Sequence, residues 1–92
     1  MLVEEIEIIN KLGLHLRAAT KLVQLASEFE ASITISCNDQ QADAKSIMDV
    51  LMLAAIIGTI VKIEISGDSQ EEEQEIMNQI LALFNNRFGE EE

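Results

Sequence analysis

Hydrophobic and polar residues alternate along four stretches of the chain and recur at helical spacing along three others. From Leu2 to Ile9, Ile6 and Ile8 fall on one face and Glu5 and Glu7 on the other, the pattern of a half-buried strand. Asn10-Lys11-Leu12-Gly13 interrupts it as a loop. From Leu16 onward, Ala19, Leu22, Val23 and Ala26 share one side of an amphipathic helix that runs to about Ser27. Ala31 to Cys37 alternates again, with Ile33, Ile35 and Cys37 inward. Asn38-Asp39 reads as a turn and Gln40 to Ala44 as a short return strand.

Ser46-Ile47-Met48-Asp49 opens a second helix, with Ser46 as N-cap and an acid three residues on, a capping-box arrangement; the helix is expected to end before Gly58. Ile60 to Ser66 is a strand with Val61, Ile63 and Ile65 facing the core, and Gly67-Asp68 turns the chain. Ser69 caps the last helix, Glu71, Glu72 and Glu73 lie against its positive end, and Ile76, Ile80, Leu83 and Phe84 form its buried stripe. The order βαββαβα in so short a chain predicts an α+β fold. It is a two-layer open-faced sandwich, an antiparallel four-stranded sheet with three helices on one face. Residues 1–89 make a single domain, and 90–92 are expected to fray as an acidic, solvated tail.

Composition narrows the function classes. A chain of 92 residues supports one domain with a modest core, and 48% hydrophobic residues suffice to fill it. With three Phe, no Trp and no Tyr, stacking platforms for single-stranded nucleic acid are absent. A net charge of −11 repels phosphate backbones, which excludes duplex binding by counterion release and leaves proteins as partners. The lone Cys37 reads as an inert buried thiol, and one Cys with one His offers no zinc set, so neither metal nor organic cofactor is expected. The longest uncharged stretch, Val50 to Val61, is too short to span a bilayer and is broken by Gly58-Thr59. The start lacks the charged opening of a signal peptide, and a cytoplasmic monomer is the expectation.

Charge is distributed unevenly. Of 17 acids none falls between Ile8 and Ser27, and that window holds the single His15 together with Lys11, Arg17 and Lys21. A strongly acidic chain thus keeps one segment positive and puts an imidazole in it, which suits an anion or an acidic partner. A lone histidine in a small domain is usually a surface residue; its placement here argues otherwise. Gly13-Leu14-His15-Leu16-Arg17 puts His15 at the N-cap of the first helix, where the backbone N–H groups are unpaired and the helix end carries roughly half a positive charge. A phosphoryl group on His15 would sit over the N–H groups of Leu16, Arg17 and Ala18, with the Arg17 side chain adding charge-assisted hydrogen bonds. The helix end also keeps one ring nitrogen free as a nucleophile.

Gly13-Leu14-His15-Leu16-Arg17-Ala18-Ala19 resembles the active-site segment of the HPr family, the histidine phosphocarriers of the phosphoenolpyruvate-dependent phosphotransferase system. Lys45-Ser46-Ile47-Met48 resembles the segment that carries the family's regulatory serine, and the two motifs stand at family spacing. Leu83-Phe84-Asn85-Asn86-Arg87-Phe88 resembles the nitrogen-related branch. The resemblance implies a carrier rather than an enzyme: His15 receives phosphate from enzyme I and passes it to an enzyme II component. In some relatives a dedicated kinase phosphorylates the position of Ser46. Two residues depart from the family pattern, Leu16 where a small residue is usual and Ala18 where Pro is usual. Pro is tolerated in a first turn because its missing N–H had no partner, so Ala18 adds a donor and loses rigidity.

Each motif also has a plainer explanation. Ser46 as a cap stabilises its helix by ~1 kcal/mol without any regulatory role. Met48, Leu51 and Met52 could be core, and Ile56-Ile57 helix-end packing. Against this, Ile47 and Met48 begin the helix expected near His15, so Lys21, Ile47, Met48 and Leu51 are the docking candidates. A rival from another class is a transfer-deficient regulatory interaction module with the same fold, consistent with Leu16 and Ala18. A hydrolase using His15 as base lacks any serine motif or metal set to support it.

Overall fold

Strands and helices form in the order βαββαβα in a computed structural model that describes residues 1–92. β1 spans Leu2–Glu7, α1 Leu16–Ala26, β2 Ser32–Cys37, β3 Gln40–Asp43, α2 Ile47–Met52, β4 Ile60–Ser66 and α3 Gln70–Asn85; a 3₁₀ turn, Arg87–Gly89, follows. The sheet order is β1-β4-β2-β3, and every neighbouring pair is antiparallel. β4 therefore sits between β1 and β2, and β2 between β4 and β3. Two split β-α-β units interlock, with α1 and α2 as their crossovers.

Register follows the apolar alternation. Ile33 faces Ile65 and Ile35 faces Ile63 across β2 and β4, while Ile6 faces Val61 across β1 and β4. A slip of one residue would turn these side chains to solvent, so the pairing is strongly specified. Ile33, Ile35, Cys37, Val61, Ile63 and Ile65 are buried, each large aliphatic side chain stabilising the fold by about 1.5–3 kcal/mol. The helices close over that face. α1 brings Ala18, Ala19, Leu22 and Ala26, and α3 brings Ile76, Met77, Ile80 and Phe84. Cys37 is buried as the sequence implies, and burial pushes its thiol up from the ordinary value. Asn38 and Asp39, both at positive φ, make the tight turn between β2 and β3.

Several expectations need adjusting. β1 ends at Glu7, although Ile8 stays buried and exchanges backbone hydrogen bonds with Gly58 and Thr59. α2 stops at Met52, six residues before Gly58, where the N–H groups of Leu53 and Ala54 tighten onto the carbonyls of Val50 and Leu51 and Ala54 turns left-handed (φ 50°). Ile56 and Ile57 consequently lie on an exposed loop instead of packing at a helix end. In α3, Met77 is fully buried and Leu83 only half so.

The capping box of α2 is half formed. Ser46 Oγ accepts the Asp49 N–H at 3.3 Å, but the Asp49 carboxylate turns to the Asp43 N–H at 3.4 Å because the Ser46 N–H already donates to the Asp43 carbonyl. At α3 the buried Glu73 accepts the Gly67 N–H at 2.9 Å, and this bond holds its carboxyl below the usual range against the cost of burial. The Met1 ammonium, 3.4 Å away, acts in the same direction. No helix is long and apolar enough to cross a membrane.

Candidate functional site

The loop Asn10–Leu14 hands the chain from β1 to α1 and fixes where the helix begins. Gly13 takes a left-handed conformation (φ 67°) hard against the α2–β4 connection. A Cβ there would stand 2.4 Å from the Ala55 carbonyl oxygen. That same carbonyl accepts the Leu14 N–H at 3.0 Å, and Leu14 is buried. Asn10, wholly buried, donates from Nδ2 to the Gly13 carbonyl at 2.8 Å. The loop is thus pinned at three points immediately before His15.

His15 is the N-cap of α1, in extended conformation, and its carbonyl accepts the Ala19 N–H that closes the first turn. Nδ1 accepts the Arg17 N–H at 3.3 Å. Nε2 is hydrogen-bonded to Glu90 Oε2. A nitrogen that accepts from a backbone N–H carries no hydrogen, so the neutral ring holds its proton on Nε2, where a carboxylate receives it. The lone pair on Nδ1 faces the helix N-terminus. No acid occupies the first turn of α1.

Glu90 belongs to the segment expected to fray. Its Oε1 accepts the Asn10 Nδ2 donor at 3.0 Å, and its side chain is only 11% exposed. Burial pushes its carboxyl up, but hydrogen bonds from Asn10 and His15, with the Arg17 charge acting in the same direction, outweigh that and hold it below its usual range. Beyond it, the Glu92 carbonyl accepts the Lys11 N–H at 2.9 Å and its carboxylate lies 3.4 Å from Lys11 Nζ. Arg87 and Phe88 turn left-handed, burying Phe88 against Phe84 with ring centroids 4.8 Å apart, and Gly89 (φ 80°) redirects the chain toward His15. A cleft of about 530 Å³ next to the histidine is lined by Lys11, Leu12, Arg17, Lys21 and Gly89–Glu92.

The residues singled out from the sequence distribute as follows. His15, Leu16, Arg17 and Ala18 form one turn, with Leu16 and Arg17 exposed and Ala18 fully buried. The Arg17 side chain makes no hydrogen bond or ion pair within the molecule and is free for an anion. Lys21, in contrast, donates to the Phe88 carbonyl at 2.7 Å. Met48 is 67% exposed, and Ile47 and Leu51 are half-buried. Ser46 is half-buried as the cap of α2, which packs on α1. Exposed Leu12, Leu16, Met52 and Ile56 extend the apolar character around the site beyond the expected docking set. Gly13 stood in the sequence motif around His15 without a role of its own, and Asn10 and Glu90 were not legible as site residues. The one available signal was charge: an acid-free basic window is the natural seat for the chain's own acidic tail.

Residues 2–86 match the family model described as the PTS HPr component phosphorylation site. The chain belongs to the HPr family. It is 54% identical to the phosphocarrier protein HPr of Cupriavidus necator over 92 residues, covering all of both chains. It is 42% identical to the phosphocarrier protein NPr of Shewanella violacea over 86 residues, covering 94% of this chain and 91% of that one. Among solved structures, HPr-C-His from Thermoanaerobacter tengcongensis superposes with a TM-score of 0.91 at 38% identity, covering 100% of each chain. HPr proteins are phosphocarriers and not enzymes, and this chain carries phosphoryl groups in the phosphotransferase system. The α+β sandwich expected from the sequence is the HPr fold. The family match ends at residue 86, ahead of the segment that reaches His15.

Proposed function

We propose that His15 accepts a phosphoryl group on Nδ1 from enzyme I in the cytoplasm and passes it to an enzyme II component. The carrying observation is the orientation of the ring: Nδ1 looks onto the helix N-terminus while Nε2 is held by Glu90. In the transfer, the Nδ1 lone pair forms the new N–P bond, and the donor atom leaves with the electron pair of the bond it loses. No proton has to depart from Nδ1. The Arg17 N–H, loosely held at 3.3 Å, exchanges the ring nitrogen for a phosphoryl oxygen, and the neighbouring N–H groups of Leu16 and Ala18 complete the cradle. The Arg17 guanidinium, unpaired within the molecule, adds charge-assisted contacts.

Docking uses Met48 with Ile47, Leu51 and Lys21, and Ser46 is the regulatory position, open to a kinase. The exposure of Met48 and the packing of α2 on α1 support this reading. The acceptor is tested by incubation with phosphoenolpyruvate and the cognate enzyme I. Acid-labile mass on His15, with a phosphorus resonance of the Nδ1 isomer, is the expected result, and His15→Ala should gain none while keeping its fold. Undiminished labelling of His15→Ala, or an Nε2 isomer, would overturn the assignment.

A further inference from the structure

We propose that Glu90 is a positioning residue for phosphoryl transfer: its carboxylate, seated by Asn10, holds the His15 ring in the Nε2–H form and balances the charge the ring acquires when Nδ1 is phosphorylated. The inference rests on His15 being the acceptor and goes beyond it, because it assigns a role to Glu90, which lies outside the residues the family model matches. The juxtaposition has three parts. Glu90 Oε2 meets Nε2, Glu90 Oε1 takes the Asn10 amide, and Asn10 is itself fully buried and tied to the Gly13 carbonyl in the same loop that delivers His15. The carboxylate is therefore aimed from a rigid support and is no loose surface contact.

Asn10 reveals the cost of that support. Its Oδ1 is buried without a hydrogen-bond partner. A buried acceptor left unpaired is unfavourable. Both hydrogens of its amide are nevertheless committed, one to the loop and one to Glu90. The side chain has been oriented for its donors at the expense of its acceptor.

The chemistry then follows from charge. Before transfer the ring is neutral, with its proton on Nε2 and its lone pair on Nδ1. Forming the Nδ1–P bond uses that pair and leaves the ring formally cationic, with the proton still on Nε2. Glu90 already accepts that hydrogen, so the positive charge develops beside a negative one, and no group has to move to meet it. In the return step the N–P bond breaks, its electron pair goes back to Nδ1, and the ring leaves as the neutral Nε2–H form. The carboxylate and the phosphoryl group would occupy opposite edges of the imidazole, and Arg17, Lys11 and Lys21 line the cleft that also holds Glu90.

The test compares wild type with Glu90→Ala and Glu90→Gln. Ring ¹⁵N shifts of His15 in the unphosphorylated protein report the tautomer without any partner enzyme, and rapid-quench labelling by enzyme I and phosphoenolpyruvate reports transfer. Glu90→Gln keeps an oxygen for the Nε2 hydrogen and loses the charge, so the tautomer should hold while transfer slows a fewfold. Glu90→Ala removes both, so the Nε2–H form should give way to a mixture and transfer should slow about tenfold, on the scale of a partly exposed charge-assisted hydrogen bond. A structural role alone would alter melting temperature and leave the tautomer and the graded Gln and Ala rates unchanged. Wild-type tautomer and rate in a folded Glu90→Ala would overturn the proposal. If wild type itself takes no phosphoryl group on His15, the acceptor assignment falls, and the tautomer measurement still decides what Glu90 does to the ring.

Discussion

At the start of α3 the cap is Ser69, whose hydroxyl accepts the Glu72 N–H at 3.1 Å, and Glu71, Glu72 and Glu73 fill the first turn. At the start of α1 the cap is His15, whose Nδ1 stands 3.3 Å from the Arg17 N–H, and the first turn holds no acid. Both ends expose the same backbone donors and the same partial positive charge. One has been capped by a hydroxyl and surrounded by acidic side chains in its first turn. The other has been given a weak, exchangeable partner and a cation at the second position. A helix end finished for stability and one left open for a visiting anion can thus be told apart by their first four side chains. α2 lies between them, with a serine cap at 3.3 Å and Asp49 in the first turn.

The contrast is broken most severely by making α1 resemble α3. Arg17→Glu installs an acid in the first turn of α1 and reverses the charge next to a group bringing about −1.5 to −2 charges. Transfer from enzyme I should fall at least about tenfold, while helix stability stays level or rises by up to about 0.5 kcal/mol from the more favourable dipole interaction. Wild-type transfer rates would show that the open end does not depend on its cation.

A middling effect is expected at α2. Ser46→Asp keeps a capping oxygen and adds negative charge, so folding should survive. Docking of an acidic partner beside Lys11 and Arg17 should slow a fewfold at low salt and recover as salt screens it. Normal transfer at low salt would reduce Ser46 to a cap. The smallest effect on transfer belongs to Ser69→Ala, which should leave the rate untouched and cost about 1 kcal/mol, a fall in Tm of roughly 4–8 °C for a chain of this size. A transfer defect in Ser69→Ala would mean that α3 does more than support the sheet.

What could be read in the sequence was whatever a local period decides. Ile33, Ile35, Val61, Ile63 and Ile65 announce their strands because alternation and burial coincide there. Ser46 and Ser69 announce helix starts because capping is a short-range interaction. His15 was legible for the same reason, as a cap in an acid-free window. The end of α2 was less so: Leu53 and Ala55 stay buried after the helix stops, and the apolar run continues through Ile56 and Ile57 although both are exposed. The tail was missed because Glu90 meets His15 across 75 residues and Asn10 across 80, contacts that no window on the chain contains.

The left-handed turn at Arg87-Phe88-Gly89 shapes how freely the tail can wander. With Phe88 buried against Phe84, the chain is anchored two residues before Glu90, and only Gly89 lies between anchor and carboxylate. Ordering a backbone residue costs about 1–2 kcal/mol in conformational entropy, so a tail loose from Asn86 onward would lose several times that on settling over the histidine. Anchored at Phe88, it has most of that entropy removed by the aromatic plug before any polar contact is made. A few hydrogen bonds then suffice to localise the carboxylate. The phenylalanine, buried and making no polar contact with the imidazole from its ring, acts as a short tether that sets how much of the time Glu90 is at home.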